Sequence, residues 1–154
     1  MVERGGVDKM FRDFPVQKIL FELQVDNLLP AILFRTSRRQ CDLDIENLEH
    51  ARVGKLKPEQ QVAIKAEINS IIMKYGMERE IIEGHPHFSI LIMTGVGAHH
   101  AGQLLLWRLL LEELMSRSSL RLMIATGTVA AGVDFPARTV VVTAHSKRGS
   151  DGFG

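Results

Sequence analysis

The sequence predicts an α/β fold in which helices cover both faces of a parallel β-sheet. Three short apolar segments are the main support for this prediction: Ala31–Phe34, Leu122–Ala125 and residues 139–143. Strands that are apolar on both faces are typical of a parallel sheet buried between helices. Helical patterns lie between these segments, and an alternating order of strand and helix is that of an α/β domain.

Length and composition limit the class of protein. The chain has 154 residues, enough for one domain with a substantial core, and 45% of the residues are hydrophobic. Its formal net charge of +1 gives no overall attraction to nucleic acid, so any such site must depend on local clusters. Its single cysteine, Cys41, has no partner for an intrachain disulfide, as expected in a reducing cytoplasm.

The sequence predicts no targeting segment and no membrane segment. Residues 1–18 carry charges through the region where a signal peptide would be apolar. No apolar run reaches the ~18 residues that a membrane-spanning helix needs. We therefore expect a cytoplasmic protein that does not enter the membrane.

The first part of the chain begins with residues 1–14, a lead-in without a periodic pattern. A helix is predicted from Pro15, because apolar residues recur at helical spacing before Pro30 ends the segment. After the first strand, a second helix is predicted over residues 39–50. The residues predicted to face the core are Val16, Ile19, Leu20 and Leu23 in the first helix and Cys41, Ile45 and Leu48 in the second.

The middle of the chain, residues 51–88, is predicted to be a helical insertion packed against the sheet. A helix over residues 58–75 has one apolar stripe, and Gly76 is suited to end it. The stripe consists of Ile64, Ile68, Ile71, Ile72 and Tyr75. Residues 77–83 are expected to add another helical turn or two. A later helix, residues 103–117, is apolar on almost every side, which predicts either deep burial or a partner surface.

Four histidines, His85, His87, His99 and His100, raise the question of a zinc site. Structural zinc sites usually need four ligands, with thiolates in closely spaced pairs. His99 and His100 are adjacent, and neighbouring side chains on a strand point to opposite faces of the sheet. We therefore predict no metal site in this chain.

A loop of small and polar residues follows the strand Leu122–Ala125. It contains Thr126, Gly127, Thr128, Gly132 and Asp134. Such a loop lets the backbone approach a ligand closely, and its unpaired N–H groups can face an anion. An ordinary crossover from strand to helix, with the hydroxyls as helix caps, explains the same residues. The pattern alone leaves both interpretations open.

Three segments resemble motifs of the superfamily 2 ATP-dependent helicases, which include the DExH and DEAD-box enzymes, and are most similar to the Ski-like group. Residues 125–140, A-T-G-T-V-A-A-G-V-D-F-P-A-R-T-V, are similar to motif V. Residues 97–102, G-A-H-H-A-G, are similar to the H-H-A-G signature, and residues 29–39, L-P-A-I-L-F-R-T-S-R-R, to motif IV. The resemblance implies a RecA-like (P-loop NTPase-type) parallel sheet flanked by helices, the C-terminal lobe of a helicase, over residues 15–154.

The resemblance also implies which residues meet the ligands. Nucleic-acid contacts are expected from Ser37, Arg38, His99, His100, Gly102 and Thr126, and contacts near the nucleotide and the lobe interface from Gly132 and Asp134. For either histidine, a buried and hydrogen-bonded role is the alternative. The sequence departs from the family at Gly127, where many relatives have glutamate, and at Asp134, where the Ski-like group often has asparagine.

Arginines add positive charge to the same predicted edge of the sheet. Arg35, Arg38 and Arg39 follow the first strand, and the loops after parallel strands gather at one edge. We expect this edge to bind a phosphate backbone weakly and with little base preference. Arg108 stands where the family has an arginine near the nucleic-acid-facing end of the lobe, but a salt bridge to Glu112 explains it equally well.

Other parts of the helicase machinery are not found in the sequence, so the chain is expected to be an incomplete helicase. It has no first-lobe pattern G-x-x-x-x-G-K-[ST], no D-E-x-H or D-E-A-D string, and no Q-x-x-G-R-x-G-R motif VI. We expect no catalytic residue, and use of ATP and Mg²⁺ only together with an N-terminal RecA-like lobe. The expected partners are that lobe and single-stranded RNA or DNA. The alternative is a non-catalytic nucleic-acid-binding or protein-interaction domain with the same fold.

Overall fold

The computed structural model describes residues 15–51, 54–127 and 136–142, so the predicted lead-in lies outside the described residues. In chain order the elements are α1 (Val16–Val25), β1 (Ala31–Phe34), α2 (Arg38–Ala51), α3 (Pro58–Tyr75), α4 (Arg79–Glu83), α5 (Phe88–Thr94), β2 (Val96–His99), α6 (Leu105–Ser116), β3 (Leu122–Ala125) and β4 (Thr139–Val142). Helices connect β1 to β2 and β2 to β3, as parallel strands require.

The four described strands form one parallel sheet in the order β2-β3-β1-β4. Ala31 of β1 aligns with Leu122 of β3 on one side and with Thr139 of β4 on the other. The predicted α/β class and the three predicted strands are confirmed, except that Thr143 lies outside the described residues. β2 is not among the three strands predicted from apolar segments, because V-G-A-H has little of the β-branched character that marks the others.

Side chains alternate between the two faces of the sheet, and each face has its own hydrophobic cluster. On one face, Ile32 and Met123 pack with residues of α3, α4 and α6. On the other, Leu33 and Ile124 pack with residues of α1 and α2. We refer to these as the α6 face and the α2 face. Helices on both faces explain why the strands are apolar on both sides.

A glycine in β2 brings α6 close to the sheet. A Cβ atom at Gly97 would lie 2.5 Å from Leu111 Cδ2 and 3.0 Å from Leu111 Cδ1. Ordinary contacts between carbon atoms are longer, about 3.5–4.0 Å. Leu111 is fully buried in α6. The missing side chain at position 97 therefore allows α6 to pack directly on β2.

The helices agree closely with the sequence prediction, and the differences concern mainly which apolar residues are exposed. α1, α2 and α3 bury the apolar residues predicted for them, and Gly76 ends α3 in the left-handed conformation with φ of 62°. Tyr75 is the exception, because it is 52% exposed instead of buried in the stripe. α6 is not buried on every side, since Leu105 and Leu109 are exposed. Within the described residues, no helix has the length and apolar character needed to cross a membrane.

Candidate functional site

The residues implied by the resemblance gather where the parallel strands end. Ser37 and Arg38 follow β1, His100 and Gly102 follow β2, and Thr126 directly follows β3. Because β3 lies between β2 and β1, Thr126 is placed between the other two segments. The outer segments also approach each other, since a Cβ atom at Gly102 would lie 3.6 Å from Arg38 Cδ. We call this region, the residues that follow β1, β2 and β3, the carboxyl edge.

The N-terminus of α2 makes the carboxyl edge electropositive. Ser37 caps this helix, since its Oγ accepts a hydrogen bond of 3.1 Å from the backbone N–H of Gln40. The side chains of Arg38 and Arg39 are exposed, and no carboxylate in the described part of the chain pairs with either. A helix N-terminus carries a partial positive charge that favours anions. The two guanidinium groups add full charges at the same place.

Arg35 does not belong to this cationic group, contrary to the expectation from the sequence. Its side chain is buried and donates two hydrogen bonds to Asp44 of α2, from Nε at 2.6 Å and from Nη2 at 3.1 Å. Gln40 Nε2 donates to the same carboxylate at 3.0 Å. Burial raises the pKa of Asp44, while the guanidinium of Arg35 lowers it. The charge of Arg35 is therefore used to neutralise the buried Asp44 carboxylate on the α2 face, and it is not available to a ligand.

His100 is buried and makes hydrogen bonds with both ring nitrogens. Its Nδ1 accepts the backbone N–H of Gly102 at 3.0 Å, and its Nε2 lies 2.9 Å from Asp42 Oδ1 of α2. Gln103 Nε2 donates to the same oxygen of Asp42 at 3.0 Å. The residue is 5% exposed, so direct contact with a ligand would require the ring to move.

The side chains around Gly102 leave little room for a larger residue at this position. Its φ is not in the left-handed region, so the backbone conformation does not demand glycine. A Cβ atom there would lie 3.1 Å from both Nδ1 and Cε1 of His100. The resemblance implies a glycine that permits a tight turn, and the structure adds that the imidazole fills the space a larger residue would need.

His99 points to the opposite face from His100, as adjacent residues on a strand do. Its Nε2 lies 2.7 Å from Glu112 Oε2 of α6, and the residue is buried. This contact takes the place of the salt bridge considered between Arg108 and Glu112. Arg108 Nε instead donates to the backbone oxygen of Gln103 at 3.2 Å. Among the described residues, no group of three or more His, Cys, Asp or Glu side chains is arranged to hold a metal ion.

A histidine stack beneath the carboxyl edge is not anticipated by the sequence analysis. The ring of His85 lies on Trp107 with a centroid distance of 3.8 Å and an interplanar angle of 6°. His85 Nε2 lies 2.7 Å from Gln103 Oε1, and its Nδ1 accepts the backbone N–H of His87 at 2.9 Å. Burial lowers the pKa of both His85 and His87. Gln103, a polar residue two positions before the apolar helix α6, is the sequence signal for such a network.

The segment similar to motif V, residues 125–140, is described at its start, residues 125–127, and at its end, residues 136–140. Thr126 is half-buried and has contacts of its own, and Gly127 is exposed. Gly132 and Asp134, which the resemblance places near the nucleotide, lie outside the described residues. Of the residues implied to meet a ligand in this segment, Thr126 is the one that lies within the described residues, at the carboxyl edge.

Known helicases are similar to this chain over most of its length. The DExH-box ATP-dependent RNA helicase DExH15, chloroplastic, of Arabidopsis thaliana is 32% identical over 133 residues, which are 86% of this chain and 11% of that protein. The probable helicase HelY of Mycobacterium tuberculosis is 30% identical over 125 residues, which are 81% of this chain and 14% of that protein. Superkiller complex protein 2 of Homo sapiens is 29% identical over 135 residues, covering 88% of this chain and 11% of that protein. No family model matches the chain.

A solved structure has the same fold. The structure of Mycobacterium smegmatis helicase Lhr bound to ssDNA and AMP-PNP matches with a TM-score of 0.51 at 17% identity, covering 93% of this chain and 14% of that one. The parallel sheet with flanking helices is thus that of a RecA-like helicase lobe. The chain spans 11% to 14% of the length of the relatives described here, so it corresponds to a segment of such a helicase. On the evidence of these relatives, the chain is a segment of a superfamily 2 helicase of the DExH, Ski-like group.

Proposed function

We propose that this chain acts as the second, C-terminal RecA-like lobe of a helicase and binds the backbone of single-stranded RNA or DNA at its carboxyl edge. The observation that carries the proposal is the position of Arg38. It lies exposed in the first turn of α2, beside Gly102, and pairs with no carboxylate among the described residues. The names of the relatives, an RNA helicase and a helicase bound to ssDNA, support nucleic acid as the ligand.

The carboxyl edge combines the groups that phosphate binding needs. Arg38 and Arg39 supply charge, and the N-terminus of α2 supplies a favourable helix dipole. Ser37 Oγ accepts the N–H of Gln40, which leaves its own proton to donate to a phosphate oxygen. Contacts of this kind carry no base information. With a net charge of +1, we expect weak binding, with a dissociation constant on the order of 10⁻⁴ M.

The remaining edge residues have two different roles in this proposal. Thr126, placed between the two outer segments, contacts a phosphate with its hydroxyl. His99, His100 and Gly102 shape the edge, because both rings are buried and Gly102 gives His100 its space. The two histidines thus act through the position of the backbone.

The nucleotide side of the proposal concerns Gly132 and Asp134, which we assign to the cleft between the two lobes. Both lie outside the described residues. ATP and Mg²⁺ would be held mainly by the N-terminal lobe, whose phosphate-binding pattern this sequence lacks. In the whole helicase, ATP hydrolysis supplies the free energy for movement along the strand.

Titration of a short labelled single strand, followed by fluorescence anisotropy at several salt concentrations, tests the proposal. Arg38→Ala should weaken low-salt binding and reduce the slope of log affinity against log salt by about 0.7, the value for a single strand when one phosphate is no longer neutralised. Thr126→Ala should weaken binding with little change in that slope, since the hydroxyl carries no charge.

Arg79→Ala is the matched control, because it removes the same charge from α4, where Arg79 forms an exposed ion pair with Glu83 at 3.2 Å. This control should leave both affinity and slope close to those of the unmodified chain. The proposal fails if Arg38→Ala and Arg79→Ala behave alike, or if salt has no effect on binding.

A further inference from the structure

We propose that Asp42 is a positioning residue for the carboxyl edge: its carboxylate fixes the tautomer of His100 and thereby holds the turn at residues 100–102 against Arg38. The inference rests on the proposed function, since it concerns how the same binding edge is shaped. Asp42 itself is not expected to touch nucleic acid, because its negative charge would repel phosphate.

The hydrogen bonds of His100 define where its proton lies. The backbone N–H of Gly102 can only donate, and it points to His100 Nδ1 at 3.0 Å, so Nδ1 carries no proton. The ring proton is therefore on Nε2, which donates to Asp42 Oδ1 at 2.9 Å. Gln103 Nε2 donates to the same oxygen at 3.0 Å. Both of these donors require an acceptor at position 42.

The other tautomer would break both hydrogen bonds of the ring. A proton on Nδ1 would face the N–H of Gly102, and the bare Nε2 would face the carboxylate of Asp42. Gln103 Nε2 lies 3.4 Å from His100 Nε2, but it already donates to Asp42 Oδ1 at the shorter distance of 3.0 Å. Because the ring is 5% exposed, water cannot readily replace the missing partners. Asp42 thus selects the tautomer that accepts the N–H of Gly102, and the turn is held closed by that hydrogen bond.

The turn is connected to Arg38 by the geometry of α2. Arg38 and Asp42 are four residues apart on this helix, so they lie on the same side of it. The space around Gly102 is shared between them, since a Cβ atom there would lie 3.1 Å from the His100 ring and 3.6 Å from Arg38 Cδ. Asp42 therefore anchors the turn to the same helix side that presents Arg38 to the ligand.

This anchor is joined to the core by Gln103. Its Nε2 donates to Asp42, while its Oε1 lies 2.7 Å from His85 Nε2. His85 in turn stacks on Trp107, which is fully buried. The Asp42 carboxylate is consequently held from two sides, and the turn takes a fixed position relative to α2.

Two substitutions at position 42 separate positioning from charge. Asp42→Asn and Asp42→Ala remove the same negative charge, but the asparagine keeps an acceptor oxygen for His100 and Gln103. Loss of the charge alone should strengthen binding to a single strand. We expect Asp42→Ala to weaken low-salt binding roughly two- to tenfold, the range of one neutral hydrogen bond such as that from Gly102 to His100. Asp42→Asn should bind at least as tightly as the unmodified chain, because it keeps the acceptor and loses the charge. Glu46→Ala, at an exposed carboxylate of the same helix, controls for the charge.

The route through Arg38 is tested by combining substitutions. If Asp42 acts by positioning the turn against Arg38, then Asp42→Ala should cause no further loss of binding in the Arg38→Ala background. An equal loss in both backgrounds would overturn that route. Equal affinities for Asp42→Ala and Asp42→Asn would overturn the role of the acceptor.

NMR spectra of the histidine ring nitrogens give a readout that does not depend on nucleic acid. His100 should show the Nε2–H tautomer in the unmodified chain and in Asp42→Asn, and a mixture of tautomers in Asp42→Ala. If the chain binds no oligonucleotide at all, the proposed function fails, and these spectra still decide the inference. A changed tautomer in Asp42→Ala then supports Asp42 as the positioning residue, and an unchanged one overturns it.

Discussion

Replacing Gly97 by alanine tests whether α6 rests directly on the sheet. The added methyl carbon would lie 2.5 Å from Leu111 Cδ2, about 1 Å short of an ordinary carbon contact. Leu111 is fully buried and belongs to the same cluster as Trp107, Leu110 and Leu114. Its side chain therefore cannot turn away without disturbing that cluster, so the added methyl group must displace either the Leu111 side chain or α6.

The expected cost follows from two opposing effects. Overpacking a core by one methyl group costs about 1–3 kcal/mol. Replacing glycine by alanine also restricts the unfolded chain, which returns about 0.4–1 kcal/mol. The two ranges differ by about 0–2.6 kcal/mol, and because Leu111 is fully buried we expect Gly97→Ala to lower the free energy of unfolding by about 1–2 kcal/mol, near the middle of that range. Leu111→Ala alone should cost about 2–5 kcal/mol. The double variant should lose less than the sum, by about 1–3 kcal/mol, because the new methyl group occupies vacated space.

Urea unfolding followed by tryptophan fluorescence measures these differences, since the single tryptophan, Trp107, is fully buried. Leu23→Ala is the matched control, because Leu23 is equally buried but belongs to the cluster on the α2 face. Its cost should add to that of Gly97→Ala within about 0.5 kcal/mol. The reasoning is refuted if Gly97→Ala costs nothing, or if its combination with Leu111→Ala is as additive as the combination with Leu23→Ala.

Two further predictions concern charged groups and use the same unfolding assay. Arg35→Ala leaves the Asp44 carboxylate buried without its partner and should lower the free energy of unfolding by about 3–5 kcal/mol; a loss of less than about 1 kcal/mol would contradict a buried pair. Because burial lowers the pKa of His85 and His87, the unfolded chain binds protons more readily than the folded one. Stability should therefore fall as pH drops below the ordinary histidine value of 6.5 toward the lowered values, and a constant stability over that range would contradict the burial of these rings.

The sequence predicts an element well when its own residues carry the signal. β1 and β3 are apolar on both faces, so their pattern alone marks them as buried strands. β2 has no such pattern, and its residues are explained by partners distant in the sequence. Gly97 is there because Leu111 needs its space, and His99 because Glu112 accepts its hydrogen bond. When the residue types of a short strand are determined by tertiary contacts, the strand cannot be identified from the pattern of neighbouring residues in the sequence.

The arginines after β1 show a signal that is present in the sequence but not local. Arg35 and Arg38 look equivalent in the sequence, yet one is buried and the other exposed. Asp44 lies in the inner stripe of α2 with Cys41 and Ile45, and a carboxylate among core residues needs a cation. That requirement points to Arg35 only once β1 is known to continue its alternation toward the α2 face. Separating structural from ligand-facing arginines therefore requires the packing of α2 on the sheet.

The segment at residues 99–103 joins the two helical layers at the proposed binding edge. It contacts Glu112 of α6 on one face and Asp42 of α2 on the other, and it reaches Trp107 through a stacked histidine. These polar contacts fix the backbone of the edge from both sides of the sheet, while Arg38 extends from it into solvent. Substitutions within residues 99–103 should therefore change nucleic-acid binding by moving the backbone of the carboxyl edge. Substitution of Arg38 should change it by removing a positive charge. In a chain with a net charge of +1, the placement of one exposed arginine can then decide where a phosphate binds.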